Sequence, residues 1–194
     1  MRVIAGKARR LPLKTTSGPD TRPTIDRIKE TLFNILCHHY YVQGSCFLDL
    51  FCGSGSIGIE ALSRGAAKSV FVDSNPKAIA CVRDNLTFTK LSEDAVILQK
   101  NALAAINELS IRKYKFDIIY IDPPYFAGLE MDVLTALGRS DILDEHTMVI
   151  LETDRHNKLD FIGETAFEII REKKYKTNRH YFLRLRRTDL QEET

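Results

Sequence analysis

The chain has 194 residues, 44% hydrophobic and 28% charged, which suits one domain with a substantial core. It has no run of about 18 apolar residues, and its first residues (MRVIAGKARRLPLK) lack the apolar stretch of a secretion signal, so a soluble, cytoplasmic protein is expected, with no membrane partner. The net charge of +2 divides into +5 over residues 1–40, −7 over 41–170 and +4 over 171–194, which argues against a uniformly basic surface and for a polyanion gripped by the two ends.

In chain order, Arg2 to Thr15 reads as a small basic hairpin followed by a Gly-Pro-rich linker. Thr24 to about His39 reads as an amphipathic helix with Ile25, Ile28, Leu32, Ile35 and Leu36 on one side. Cys46 to Phe51 (CFLDLF) is a strand, followed by a glycine turn and a helix that stops near Gly65. Ser69 to Asp73 is the next strand, and Asn75-Pro76 caps a helix running to about Thr89. A short strand over Ala95 to Leu98, a helix over Ala102 to Leu109, the apolar strand FDIIYI (Phe116 to Ile121), a helix over Leu129 to Leu137 and a strand over Thr147 to Glu152 complete a βαβ rhythm. Phe167 to Tyr175 and His180 to Arg187, separated by KTNR, predict a closing antiparallel hairpin. The cysteines Cys37, Cys46, Cys52 and Cys81 form no CxxC pair, so reduced thiols are expected, with neither disulfide framework nor metal site.

Two stretches carry chemistry. In DLFCGSGSIG, Gly53, Gly55 and Gly58 match G-x-G-x-x-G, and Asp73 ends the next strand twenty residues beyond Gly53. That spacing suits an adenosine-type ligand whose ribose hydroxyls donate to the acid. Asp49, inside the strand, would repel a pyrophosphate but could pair with a cationic ligand such as the sulfonium or amino group of S-adenosylmethionine. In YIDPPYFAG, the prolines stop the strand and hold Asp122, two carbonyls and Tyr125 in a stiff array.

DLFCGSGSIGIEALSRGA, VFVDSNPKAI, QKNAL and IDPPY, in this order, resemble class I S-adenosylmethionine-dependent methyltransferases. With the N-terminal MRVIAGKARRLPL and TRPTIDRIKETLFNIL, the chain to about Arg187 is similar to the bacterial 16S ribosomal RNA guanine-N2 methyltransferase family (RsmD). The resemblance implies an α/β, Rossmann-like, seven-stranded, mostly parallel sheet with an antiparallel last strand and a small N-terminal hairpin extension. The corresponding division is a basic arm over 1–21, a methyltransferase domain over 22–188 and a polar tail over 189–194. It further implies methylation of guanine N2 in 16S ribosomal RNA, at position 966 by the family pattern, by a monomer acting on a small-subunit particle.

Carried over by motif, Asp49, Phe51, Gly53, Ser54 and Gly55 line the methionine end of S-adenosylmethionine, Asp73 holds the ribose with Ser74 beside the adenine, and Asn101 and Ala102 meet the adenine amino group. The family often has aspartate where Asn101 stands, and glycine where Lys176 stands. For catalysis, Asp122 and the Pro123 carbonyl accept from the target amine, Tyr125 stacks on the base, and the rigid prolines fix the array. Arg2, Lys7, Arg9, Arg10, Arg22, Thr24 and Pro124 are expected to meet the RNA.

Rival readings predict other features. A DNA amino-methyltransferase normally adds a target-recognition segment, and the 69 positions from Gly53 to Asp122 leave no room for one. A protein-glutamine methyltransferase would prefer Asn at position 122. A dinucleotide oxidoreductase explains neither Asp49 nor DPPY, and a non-catalytic RNA-binding module leaves the middle of the chain unused.

Overall fold

The structure, a computed structural model, describes residues 1–16, 22–124 and 128–186, and for residues 22–25 the backbone only. Tyr125, the linker over 17–21, the side chains of Arg22 and Thr24 and the expected tail fall outside the described side chains. Helix α1 spans Arg22–His39. Then follow β1 (Cys46–Leu50), α2 (Ser56–Ser63), β2 (Lys68–Asp73), α3 (Pro76–Thr89), β3 (Ala95–Gln99), α4 (Ala102–Ile111), β4 (Ile118–Ile121), α5 (Leu129–Arg139), β5 (Met148–Asp154), β6 (Phe167–Lys174) and β7 (Asn178–Leu185).

The strands form one sheet in the order β3-β2-β1-β4-β5-β7-β6. Pairing from β3 to β5 is parallel, whereas β7 runs antiparallel to both β5 and β6. This Rossmann-like sheet has the expected strands, with β7 inserted between β5 and β6. The ladder of β6 with β7 slips between Ile169 and Arg171.

Alternation along the buried strands separates two cores. Phe47, Phe71, Ile118, Tyr120, Met148, Ile150 and Phe182 face the side where Leu32, Phe33, Leu36, Ile59 and Val82 pack. Leu48, Leu50, Val70, Val72, Ile119, Ile121, Val149 and Leu151 face Ala105, Ile106, Leu109, Val133 and Leu134 of α4 and α5. A strand covered on both faces must be apolar at every position, which is why IIYI and MVIL contain almost no polar residue. Truncating one of these side chains to alanine costs about 2–5 kcal/mol.

The N-terminal extension is a hairpin-like loop held by a single antiparallel bridge between Arg2 and Pro12. Its stability comes from docking rather than from a ladder. Glu60 of α2, fully buried, accepts from Ile4 N at 2.8 Å and Ala5 N at 3.0 Å. Ser63 Oγ donates to the Ala5 carbonyl and accepts from Ala8 N, while Lys7 N donates to the Ser63 carbonyl. Gly6, at φ 81°, passes so close that any Cβ there would overlap the Ser63 backbone. Lys29, also buried, reaches Glu60 at 3.4 Å, the Arg2 carbonyl at 2.7 Å and Ser56 Oγ at 3.1 Å. The arm is therefore part of the domain surface.

Candidate active site

Because β1 to β4 are parallel, their C-terminal ends open on one edge of the sheet, and the order reverses at β1, where chain connections leave to either side. A cleft of about 760 Å³ lies there, lined by Phe51, Val72, Asp73, Ser74, Lys100, Asn101, Ala102, Leu103, Asp122, Pro123, Pro124, Leu129, Val133 and Thr16. Of the sequence-derived site residues it brings together Phe51, Asp73, Ser74, Asn101, Ala102, Asp122, Pro123 and Pro124. Gly53, Ser54 and Gly55 form the neighbouring turn, and buried Asp49 lies beneath it.

Local chemistry shapes that turn. Phe51 is held at φ 110°, a conformation that an L side chain adopts only under constraint. The constraint is visible: Phe51 N and Cys52 N both donate to the Val72 carbonyl, at 3.0 and 2.8 Å. Asp73 Oδ2 accepts from Gly53 N at 2.9 Å and Oδ1 from Asn75 N at 2.8 Å, so the acid at the end of β2 also fixes the glycine turn beside β1. Gly58 serves packing, since a Cβ there would strike the Phe71 ring. Asn85 ties the turn to the arm, donating to the Ser54 and Lys14 carbonyls and accepting from Lys14 N.

Asn101 caps α4 by accepting from Ala104 N at 2.9 Å and is one of the residues that line the cleft. Lys176 lies in the β6–β7 turn, closed by Tyr175 N donating to the Asn178 carbonyl, and it has no positive φ. This turn does not require glycine.

The acids dominate the electrostatics. Burial raises Asp49 to a pKa of about 7; the Gly58 N–H it accepts at 2.9 Å opposes the rise, and nearby Asp73 adds to it. Asp122 is raised well above the carboxylate range by burial, then by the charges of Glu152 and Asp49. Its carboxyl makes no hydrogen bond or ion pair among the described residues. Behind it, Glu152 accepts from Tyr120 OH and Asn178 Nδ2 and pairs with His180 Nε2 at 2.8 Å. Burial pushes Glu152 upward, but its hydrogen bonds and the His180 ring outweigh that and hold it low. His180, fully buried, meets Tyr175 OH through its other nitrogen at 3.3 Å. Sequence reasoning missed Glu152, His180 and Tyr120. Glu152 and His180 do face each other across the β5–β7 pairing, a register that became readable only once those strands were known to be neighbours.

On the arm, Arg2 pairs with Asp26 at 3.5 Å and Lys14 with Asp84 at 2.7 Å. Lys7, Arg9 and Arg10 are exposed and have no ion pair among the described residues. Arg2, Arg9 and Arg10 line a second concavity with Arg27, Asp26 and Glu30, about 560 Å³ in volume.

A doubly covered, mostly parallel sheet with an acid-lined cleft at the switch point defines a Rossmann-like class I methyltransferase. The family described as conserved hypothetical protein 95 matches residues 1–184, and the chain belongs to it, the RsmD-like family of these methyltransferases. The Bacillus subtilis protein YlbH, named as a candidate rRNA methyltransferase, is 37% identical over 174 residues, 90% of this chain and 92% of its own length. The Haemophilus influenzae protein named ribosomal RNA small subunit methyltransferase D is 35% identical over 162 residues, 82% of this chain and 81% of its own. The solved structure of Escherichia coli yhhF, described as a candidate methyltransferase, superimposes with a TM-score of 0.77 at 26% identity, covering 95% of this chain and 97% of that one. Among the described residues no helix is long and apolar enough to cross a membrane.

Proposed function

We propose that the protein transfers a methyl group from S-adenosylmethionine to the exocyclic N2 of a guanine in 16S ribosomal RNA, with a small-subunit particle as the substrate. The observation that carries this reading is Asp122, a carboxyl with no partner among the described residues, at the mouth of a cleft whose glycine turn is flanked by two more acids. Asp73, joined by Asp49 and Asp122 in their ionised forms, disfavours a pyrophosphate and favours a ligand with positive charge.

The donor set fits that cofactor. Asp73 keeps lone pairs free beyond its two backbone bonds and is placed to accept from ribose hydroxyls. In this reading Asn101 and Ala102 meet the adenine, and Phe51, Gly53, Ser54 and Gly55 hold the methionine end over Asp49. When bound, the cofactor supplies an electrophilic methyl on a sulfonium.

The chain's own residues prepare the amine. A guanine amino nitrogen has its lone pair delocalised into the ring, so it attacks only when its N–H groups are held out of the ring plane. Asp122 in its ionised form and the Pro123 carbonyl accept those N–H groups and Tyr125 stacks on the base. Pro123 and Pro124 hold the acceptors rigid; positioning of this kind supplies ~7–11 kcal/mol of a barrier. The nitrogen lone pair would form the new N–CH3 bond as the methyl's bond to sulfur breaks and its electron pair stays on the sulfur, and Asp122 in its ionised form, raised in pKa by burial, would take up the proton that the product ammonium releases. Exposed Lys7, Arg9 and Arg10 grip the RNA backbone.

The test is purified protein with labelled S-adenosylmethionine and ribosomal RNA or small-subunit particles, followed by nucleoside mass spectrometry. N2-methylguanosine is expected. N6-methyladenine or N4-methylcytosine formed in DNA instead would overturn the reading. Neutralising Lys7, Arg9 and Arg10 together should make the salt dependence of RNA binding shallower by about 0.7 per phosphate no longer neutralised, with cofactor affinity unchanged.

A further inference from the structure

A third concavity, about 210 Å³, lies at the end of β5 against the β6–β7 hairpin. It is lined by Arg155, His156, Lys158, Lys174, Tyr175 and Arg179, with no acid among its lining residues. Its sign is opposite to that of the acid-lined cleft. Its place follows from the sheet: β5 runs parallel to β4 with Ile121 opposite Leu151, so Asp122 and Arg155 leave the sheet at the same edge. The cofactor strands lie on one side of β4 and this concavity on the other.

The walls are built rather than loose. Arg179 pairs with Glu172 at 2.6 Å and donates to Tyr181 OH at 2.8 Å and to the Arg155 carbonyl at 2.6 Å. Arg155 donates to the Lys176 carbonyl at 3.2 Å, and Tyr175 stands edge-on to buried His180. The positive charges are only partly compensated. Glu172 is shared between Arg179 at 2.6 Å and Lys174 at 3.6 Å. Asp154 is occupied by His156 N. Arg155 and Lys158 have no carboxylate partner among the described residues, and both are exposed.

We infer that this concavity is a phosphate subsite, which receives a backbone phosphodiester of single-stranded RNA beside the nucleotide presented to Asp122. The inference rests on the reading of the protein as an RNA methyltransferase and adds the path of the strand. Guanine N2 inside a duplex is reachable only from the minor groove, so the target base must be unpaired or extruded, and its flanking phosphates then need a fixed anchor. Cations of one sign at the same sheet edge, Arg155 and Arg179 among them held by hydrogen bonds, supply it. The volume suits a phosphate group and its water, whereas a whole nucleotide needs the larger cleft.

The experiment compares wild type with Lys158→Ala and with Lys158→Ala/Lys174→Ala; neither removal breaks a hydrogen bond among the described residues, and the second releases only the exposed 3.6 Å pair of Lys174 with Glu172. Binding to a 16S ribosomal RNA fragment is measured over a salt series, S-adenosylmethionine binding by calorimetry, and methyl transfer at sub-saturating RNA. The double variant should bind RNA more weakly, with a salt slope shallower by about 0.7 for each phosphate no longer neutralised, and with unchanged cofactor affinity. An unchanged slope and affinity in a protein that still methylates RNA overturns the subsite and leaves the methyltransferase reading intact. Loss of binding to small-subunit particles with normal binding to naked RNA also overturns it, in favour of a ribosomal protein partner. A wild-type protein that transfers no methyl to RNA sinks the activity, while the salt slope still decides the subsite.

Discussion

Glu60 is fully buried under the N-terminal arm and Asp122 is half-buried at the cleft, and the two carboxyl groups are furnished differently. Glu60 has Lys29, Arg64 and two backbone amides as donors. Asp122 has none among the described residues, and its electrostatic neighbours, Glu152 and Asp49, are acids. A buried charge with every lone pair used is a fastener; removing it strands its partner. A carboxyl without donors among the described residues, in an acidic neighbourhood, costs stability and is the kind of group expected at a functional site. The contrast predicts opposite consequences for substitutions that look alike.

The largest effect is expected at Glu60. Glu60→Ala leaves Lys29 buried without its carboxylate and frees the arm's amides, and should cost about 3–5 kcal/mol in denaturant unfolding. A loss under about 1 kcal/mol would break the comparison.

Asp122→Ala should do the reverse: unfolding midpoint unchanged or raised, cofactor affinity retained, and methyl transfer down by about 10²–10³, the scale of losing one preorganised group at a reacting centre. Near-normal turnover would remove Asp122 from the chemistry.

Asp73 stands between the two, with both oxygens bonded to backbone and the group still open to the cleft. Asp73→Ala should weaken S-adenosylmethionine binding by roughly 1.5–3 kcal/mol, and calorimetry on Asp73→Asn, which keeps one acceptor, should show a smaller loss. Equal affinity in all three proteins would confine Asp73 to holding the turn.

The smallest effect is a pH dependence. Asp49 is raised from 3.8 to about 7, so in the free protein it is mostly protonated below neutrality. Its contribution to stability is full below the unfolded value and is lost as pH rises through about 7. A cationic ligand needs the ionised form, so cofactor affinity should rise as pH climbs through about 7, with up to tenfold lost per unit below it, and then level off. Asp122 faces the same region and also titrates high, so the assignment rests on Asp49→Asn flattening the profile while Asp122→Asn retains it.

Much of this molecule is written locally. Asn75-Pro76 encodes a helix start, and Asn75 Oδ1 accepts from Lys77 N as that pattern requires. FDIIYI and TMVILE are apolar at nearly every position because both faces of those strands are covered. The G-x-G-x-x-G turn with Asp73 twenty residues later follows from the length of one βαβ step, so period, caps and spacing were enough to mark the strands and helices and to put Asp49, Asp73 and Asp122 in or just after strands.

The tertiary structure alone decided what neutralises what. Lys29 and Glu60 come from different helices, and nothing near either residue marks them as a buried pair. The arm reads from sequence as a basic hairpin, and the tertiary structure ties two of its five charges to Asp26 and Asp84 and fastens its backbone to α2. Glu152, His180 and Tyr120 meet only because β7 enters the sheet between β5 and β6, and Arg155 and Lys174 share one concavity for the same reason. Hydrophobic period and turn chemistry act over a few neighbouring residues and can be read along the chain, whereas desolvation and charge pairing depend on which distant residues are brought within a few ångströms.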